Sequence, residues 1–423
     1  MNILRKRIAV VGAGISGLVA ARALDAQHDV TVFEASDYAG GHTRTLTLQR
    51  DGRDVSVDIG FIVFNDWTYP NFIKLLDELG VESAPTSMGF SMRDELTGLE
   101  YRGGSWGGLF AQKRNLVRPA FYRMLRDISR FFRDGKQALA RDELNVTLGQ
   151  FLQRHRYGAD CVEQFVLPMA AAIWSTDPAR VREFPAAFFL RFFDNHGLLN
   201  LRDRPTWRVV KGGSARYVER LLASFRGRLS LDDAVQRVER DQDGVMLDAR
   251  RSGQSRFDYV VFACHSDQAL ALLSDPADDE RAILGTMAYQ DNDVVLHTDT
   301  SLLPRARGAW AAWNYHRHRD RRDVATLTYN MNILQQLGTR EPLCVTLNAR
   351  ERIDPAKILH TATMAHPLYT AQAVASQGRL NLLNGSRRTF FCGAYWGNGF
   401  HEDGVVSALR AADAVAEHCV ESP

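Results

Sequence analysis

The chain opens with consecutive apolar positions. In "RIAVVGAG" they run unbroken, as in a strand buried on both faces. "ISGLVAARALDAQ" then takes helical spacing, and "DVTVFEA" reads as a second buried strand. "VSVDIGFIVFN" alternates, which predicts a third strand. From about Tyr69 to Phe193 the period turns helical. "YPNFIKLLDELGV" is a capped amphipathic helix with a glycine stop. "RPAFYRMLRDISRFFRDGKQAL" puts Phe121, Met124, Leu125 and Ile128 on one face and Arg123, Arg126, Arg130 and Arg133 elsewhere. That helix packs its apolar face inward, or it lies on an anionic membrane as basic amphipathic helices do. "FPAAFFLRFFDNHGLLN" is core, or the wall of a pocket for a long apolar ligand near Trp174.

Around Trp207 strand-and-helix patterning resumes. "FDYVVFACHSDQALALL" is a buried strand running into a helix. "DNDVVLHTDTSLLP", "GAWAAWNYH" and "VATLTYNMN" alternate like an antiparallel sheet, and the charged "RHRDRRD" between the last two reads as a solvated hairpin loop. Near the end, "TFFCGAYWGNGFHEDGVVSAL" gives a strand, a glycine-rich loop and a helix. The expected class is α/β. A Rossmann-like domain of residues 1–68, 205–280 and 381–423 is interleaved with an α+β domain of residues 69–204 and 281–380.

Chemistry enters at the first strand-to-helix turn. Gly12, Gly14 and Gly17 form G-x-G-x-x-G, with Ala13, Ile15 and Ser16 between them. The first glycine makes the turn, the second admits a pyrophosphate to the backbone, and the third lets helix and strand pack closely. The helix N-terminus offers N–H groups and partial positive charge to phosphate. Glu34, followed by Ala35, ends the second strand where a carboxylate accepts the hydroxyls of an adenosine ribose. Just beyond it, Gly40 and Gly41 expose backbone, and Thr43, Arg44 and Thr45 offer donors to phosphate. An extended flavin dinucleotide uses bare backbone there; a nicotinamide dinucleotide has no evident need of it.

Composition narrows the setting. The 423 residues suit two joined domains, and 45% hydrophobic with 24% charged residues is the balance of a globular protein. A net charge of +2 calls for no nucleic acid. Five scattered cysteines without a C-x-x-C pair fit a reducing, cytoplasmic setting and argue against zinc. Glycines break the apolar run after "MNILRKR", unlike a signal peptide, and no stretch of ~18 apolar residues spans a bilayer, so membrane contact is at most peripheral.

The segment from Glu34 through Gly40, Gly41 and Thr45 resembles the E-x-x-x-x-x-G-G-R-x-x-T signature of the FAD-dependent amine oxidase and phytoene desaturase superfamily. His42 stands where that signature carries arginine. The resemblance implies FAD. It implies that Gly60 and Phe61 run beside the flavin ring, that Val235 lays backbone beside adenine, and that the strand ending at Gly393 closes the site. It further implies that the helix start at Glu402, Asp403, Gly404 and Val405 meets the pyrimidine edge, with free N–H groups at Gly404, Val405 and Val406 and one carboxylate near the ribityl hydroxyls. "AAIWST", "KGGSARYV", "YNMNILQQL" and "CGAYWGNGFHEDGVVSAL" look most like bacterial NAD/FAD-binding proteins whose common neighbours are cyclopropane-fatty-acyl-phospholipid synthase-like methyltransferases. That association implies an apolar or lipid substrate and such a methyltransferase as partner; the electron acceptor stays open.

Within the superfamily, amine oxidases hold a water with a strand lysine; here Leu296 or His297 falls at that point. His401 takes the place of a ring-facing aromatic residue, as a general acid or base or as a structural histidine, and Trp396 is a second catalytic candidate. Tyr395, His366 and Tyr369 are pocket candidates. The expected activity is hydride transfer from a fatty-acyl substrate to flavin. An amine oxidase, a redox-neutral double-bond isomerase and a non-catalytic flavoprotein partner are the alternatives.

Overall fold

A computed structural model describes residues 5–141, 144–320 and 326–421. The opening strand, Arg7–Val11, is the centre of a five-stranded sheet whose strands are all parallel. Its order is Arg228–Ser230, Asp29–Phe33, Arg7–Val11, Tyr259–Phe262 and Thr389–Phe391. Helices cover it, which is why these strands carry apolar residues on both faces. Helix Ile15–Leu24 crosses from the first strand to the second, and the C-terminal helix His401–Glu421 packs alongside it. Leu18, Val19, Ala408, Ala411 and Val415 meet there in one core. An antiparallel trio, Val235–Arg240, Val245–Ala249 and Gly253–Phe257, extends this half.

The second half is built on a seven-stranded sheet. Its order is Ile358–Pro367, Tyr289–His297, Cys344–Leu347, Thr326–Asn330, Trp313–Arg317, Phe90–Asp94 and Glu100–Arg102. The expected antiparallel pairing is present, and "RHRDRRD" does join antiparallel neighbours, although residues 321–325 lie outside the described residues. The segment read as helical from Tyr69 to Phe193 holds three strands the spacing hid: Ser83–Pro85, Phe90–Asp94 and Glu100–Arg102. Each is too short to declare a period, and Phe90–Asp94 joins the sheet by a parallel pairing to Trp313–Arg317. Helix Pro70–Glu78 places Phe72, Leu75 and Leu76 in the core of the first half, so the expected junction at residue 69 falls inside a packed unit. Helix Pro119–Arg141 buries Phe121, Met124, Ile128, Phe131 and Phe132, the inward-packing reading of its pattern. No described helix is long and apolar enough to cross a membrane.

Candidate functional site: a crevice between two helix N-termini

The three glycines of the first turn meet three different surroundings. Gly12 has φ +104°, and its N–H donates to the Phe33 carbonyl at 2.8 Å. A Cβ on Gly17 would lie 1.9 Å from the Gly12 carbonyl oxygen, so helix and strand meet backbone to backbone. A Cβ on Gly14 would meet no atom within 4 Å, which leaves open space over the helix start. Ala13 N–H donates to Glu34 Oε2 at 2.7 Å, and Ser36 N–H to Oε1 at 2.9 Å. Glu34 is thereby fixed at the carboxyl end of its strand beside the turn; Ala35 is solvent-exposed. Val235 follows closely, because Asp233 N–H donates to the Glu34 carbonyl at 2.8 Å.

Glycines far apart in sequence bring the first turn, the loop after the second strand and the last helix together. A Cβ on Gly404 would sit 2.9 Å from Ile15 Cγ2 and 2.9 Å from Ser16 Oγ, so glycine there lets the first and last helices start side by side. Both partial positive ends then face one space. Gly40 N–H donates to the Ala13 carbonyl at 2.8 Å, and Gly41, at φ +58°, crosses 3.1 Å from the Gly14 Cα measured from its would-be Cβ. Gly393 closes the last strand through Ser407, whose hydroxyl accepts from its N–H at 2.9 Å.

The C-terminal helix begins one turn earlier than its glycine and valines indicated. Gly404 N–H donates to the Phe400 carbonyl at 3.1 Å, and Val405 and Val406 lie within the helix. The N–H groups ahead of the helical ladder are those of His401, Glu402 and Asp403 instead. Glu402 does not face the crevice: its carboxylate accepts from the N–H groups of Asn71 and Phe72, at 3.1 and 2.9 Å, and caps helix Pro70–Glu78. Asp403 accepts from Phe400 N–H at 2.9 Å and braces the loop; burial lifts its pKa to about 6.

His401 is not poised as an acid or base. Phe61 stacks on it at 3.5 Å, and its Nε2 is within bonding distance of Thr43 Oγ1 (2.9 Å) and Tyr217 Oη (3.0 Å). Thr43 and Tyr217 also bond each other. Burial, with a smaller contribution from His42, holds the His401 pKa well below the usual value, so the ring stays neutral and ties the last helix to two other segments. Trp396 is half-buried and packs against the core that holds Phe391 and Leu380. Leu296 and His297 are wholly buried in their strand, where His297 bonds Thr346 at 2.7 Å.

Gly60 is required by close approach: a Cβ would meet the His42 carbonyl oxygen at 2.1 Å, and Phe61 N–H donates to that oxygen at 2.8 Å. Thr45 bonds the buried Asp58, and the Arg44 guanidinium lies over the Tyr38 ring at 4.8 Å. His42 turns inward, its Nε2 donating to the Ala365 carbonyl at 3.0 Å. Its ring is 5.6 Å from His366 and 6.3 Å from His265.

His42, His366, Cys264 and Tyr289 share an unusual pairing of properties. Each is strongly desolvated, yet each keeps accessible surface, as residues walling a deep cleft do. Burial lowers the His42 pKa to about 4 and the His366 pKa to about 3. Cys264 and His265 went unremarked in the sequence, although they follow strand Tyr259–Phe262 at the carboxyl edge of a parallel sheet, where such folds bind ligands. Two aromatic pairs stack as well: Phe188 on Tyr369 at 4.9 Å, and Phe400 on Phe192 at 5.2 Å. Phe189, Phe192 and Phe193 are core, so the expected apolar wall narrows to Phe188. A surface cleft of about 390 Å³, bounded by Tyr69, His196 and Phe400, reaches Asp403 from outside.

The donor set fits a flavin dinucleotide. Open space over Gly14, two converging helix starts and a strand-end carboxylate are what its phosphates and ribose require.

Comparison with known proteins agrees. The family described as "Flavin containing amine oxidoreductase" matches residues 15–341, and the chain belongs to that family. Its cofactor is FAD and its class is oxidoreductase. "Putative flavin-containing monoamine oxidase AofH" of Mycobacterium tuberculosis is 29% identical over 283 residues, covering 64% of this chain; the match spans 59% of that relative's length. Among solved structures, "Putative protoporphyrinogen oxidase" from Exiguobacterium sp. 255-15 superposes with TM-score 0.71 at 16% identity, over 99% of this chain and 100% of that one. A fatty acid isomerase of P. acnes that produces CLA superposes with TM-score 0.65 at 16% identity, over 97% and 98%. Those two show the two-domain flavoprotein fold.

Proposed function

We propose that this member of the flavin-containing amine oxidoreductase family binds FAD from Glu34 to the start of the C-terminal helix and oxidises or desaturates an apolar, fatty-acyl substrate. Glu34 would receive the adenosine ribose, Val235 would lie at the adenine, and the N–H groups at Gly14 to Ser16 and at Gly41 and His42 would receive the pyrophosphate. The N–H groups of His401 and Glu402 face the pyrimidine edge, where negative charge gathers when the ring is reduced. Bound FAD supplies the hydride acceptor. The protein orients the chain against Phe188, Tyr369 and Phe400 and keeps water out.

One observation carries the substrate reading: the cleft wall is aromatic or held neutral. His42 and His366 stay uncharged above pH 5, because burial sets their pKa values at about 4 and about 3. The carboxylates that line the surface cleft are Glu402, engaged as the cap of helix Pro70–Glu78, and Asp403, whose pKa burial lifts to about 6. The strand position expected for an amine oxidase lysine holds buried Leu296 and His297. The likeness to a fatty acid isomerase lends support at the level of fold.

The test is anaerobic mixing of FAD-loaded protein with unsaturated fatty-acyl phospholipids and free fatty acids. Bleaching of the flavin absorbance with a product two hydrogens lighter is expected. A product of unchanged mass moves the reading to an isomerase. Bleaching by amines, with hydrogen peroxide released in air and no response to acyl substrates, overturns it.

A further inference from the structure

Residues 101–126 differ from the rest of the surface. Arg102, Lys113, Arg114, Arg118, Arg123 and Arg126 give this stretch six positive charges and no acid. The overall balance of the chain is only +2, so the bias is local. Within it lie four of the large apolar residues that the fold leaves in solvent: Trp106 is 77% exposed, Val117 82%, Leu116 53% and Tyr122 46%. They form a connected surface, because Trp106 stacks on Phe110 at 5.9 Å and Phe110 meets Tyr122 at 6.1 Å. The short helix Trp106–Leu109 presents the tryptophan, and the turn Lys113–Val117 presents Leu116 and Val117 between cations. The fold holds this shape: Ser105 accepts from Gly108 N–H at 3.1 Å, and Asn115 is buried and donates to the Glu100 and Leu109 carbonyls.

The neighbouring segment adds charge of the same sign. Residues 305–310 lie beside Ala111, with Arg305 and Arg307 exposed. The nearest acids are withdrawn. Glu100 is buried and accepts from the N–H groups of Arg305 and Ala306, and Asp127 is buried against Arg130 and Gly158 N–H, with Arg126 at 3.9 Å on its outer side.

Exposed tryptophan, tyrosine and aliphatic side chains ringed by lysine and arginine match the headgroup boundary of a bilayer. Rings and aliphatic groups enter the acyl margin there, and cations meet anionic headgroups. A second copy of this chain is a poorer occupant, since a two-fold contact would set each set of cations against its twin. A nucleic acid has use for the charge but none for Leu116 and Val117. We propose that this patch docks the protein on an anionic lipid surface. The helix Pro119–Arg141 does not lie on that surface along its length, because its apolar face is in the core; only its first two turns, with Tyr122, Arg123 and Arg126, belong to the patch. Docking is independent of the substrate, so it stands or falls apart from the acyl-chain reading above.

The experiment uses the full-length, FAD-loaded protein and sedimentation with vesicles. Phosphatidylglycerol-containing vesicles are expected to carry the protein down at low salt, pure phosphatidylcholine vesicles much less, and added salt to release it. Lys113→Gln, Arg114→Gln and Arg118→Gln together are expected to weaken partitioning about 100-fold, at ~5-fold per cation removed. Trp106→Ser with Val117→Ser is expected to weaken it about tenfold. All five side chains are solvent-facing or half-buried, and retained flavin content checks that the variants fold. Brominated acyl chains should quench tryptophan fluorescence in the wild type and not in Trp106→Ser. Failure to sediment with anionic vesicles overturns the proposal, as does equal sedimentation of the variants. So does loss of self-association or of RNA binding in the variants with vesicle binding unchanged.

Discussion

Gly14→Ala separates holding the fold from holding the cofactor. The residue has φ −72° and ψ −178°, a conformation open to alanine, and the new methyl would meet no protein atom within 4 Å. Its effect on the apoprotein is a near balance. Alanine stabilises by about 0.4–1 kcal/mol through the unfolded chain, and loses about 0.5 kcal/mol as a poorer cap than glycine. The apoprotein Tm should stay within about 3 °C of wild type. The methyl occupies the space into which a pyrophosphate must come, and overfilling of that kind costs about 1–3 kcal/mol. FAD affinity should therefore fall between about fivefold and about 150-fold. Titration of FAD into apoprotein, followed by flavin fluorescence, measures it. Unchanged affinity would refute the placement of the phosphates over Gly14. A large fall in apoprotein Tm would show that the glycine serves packing instead.

Gly17→Ala should do the reverse: its methyl would sit 1.9 Å from the Gly12 carbonyl oxygen, so the apoprotein itself should lose about 3 kcal/mol or fail to accumulate, read as Tm and soluble yield. Glu280→Ala removes both oxygens that bond the buried Arg240, at 2.5 and 2.9 Å, and should cost about 3 kcal/mol, with Asp275 left as the partial partner; a Tm within a degree or so of wild type would refute it. Asp58 is buried and its pKa is raised from 3.8 to about 6, chiefly by desolvation. The folded state then binds its proton more readily than the unfolded state, so its contribution is full below pH 4 and lost as pH rises through 6. Wild type should gain about 2 kcal/mol on Asp58→Asn between pH 7 and pH 4, and a flat difference in thermal unfolding across that range would refute the assignment. His401→Ala should weaken FAD retention and leave the pH profile of flavin reduction unshifted; loss of an ionisation from that profile would restore His401 as a proton-transfer group.

The nucleotide half was legible because its demands are local. Gly12, Gly14, Gly17 and Glu34 lie within one strand–helix–strand unit, and each spacing answers to one backbone requirement. The substrate half was less so. Ser83–Pro85 and Glu100–Arg102 are strands only because longer partners, Trp207–Val210 and Phe90–Asp94, hold them, and three residues show no period of their own. The start of the last helix was misjudged by a turn because His401 caps nothing in sequence terms: its place is fixed by Phe61, Thr43 and Tyr217, three residues drawn from two distant segments.

His401 and Glu402 show why an acid or a histidine in a glycine-rich loop misleads when read alone. Both side chains point back into protein, one to the stack on Phe61, the other to the N–H groups of Asn71 and Phe72. With those side chains engaged, what the loop has left to present is backbone: the N–H groups that precede the helical ladder. Gly404 serves the same end from the other side, since any side chain there would push the last helix off Ile15 and Ser16 and part the two positive ends. The titratable residues thus build the frame, and the unadorned main chain meets the anion. A backbone donor set keeps its charge at every pH, which suits a site whose anionic ligand must stay bound while its ring is reduced and reoxidised.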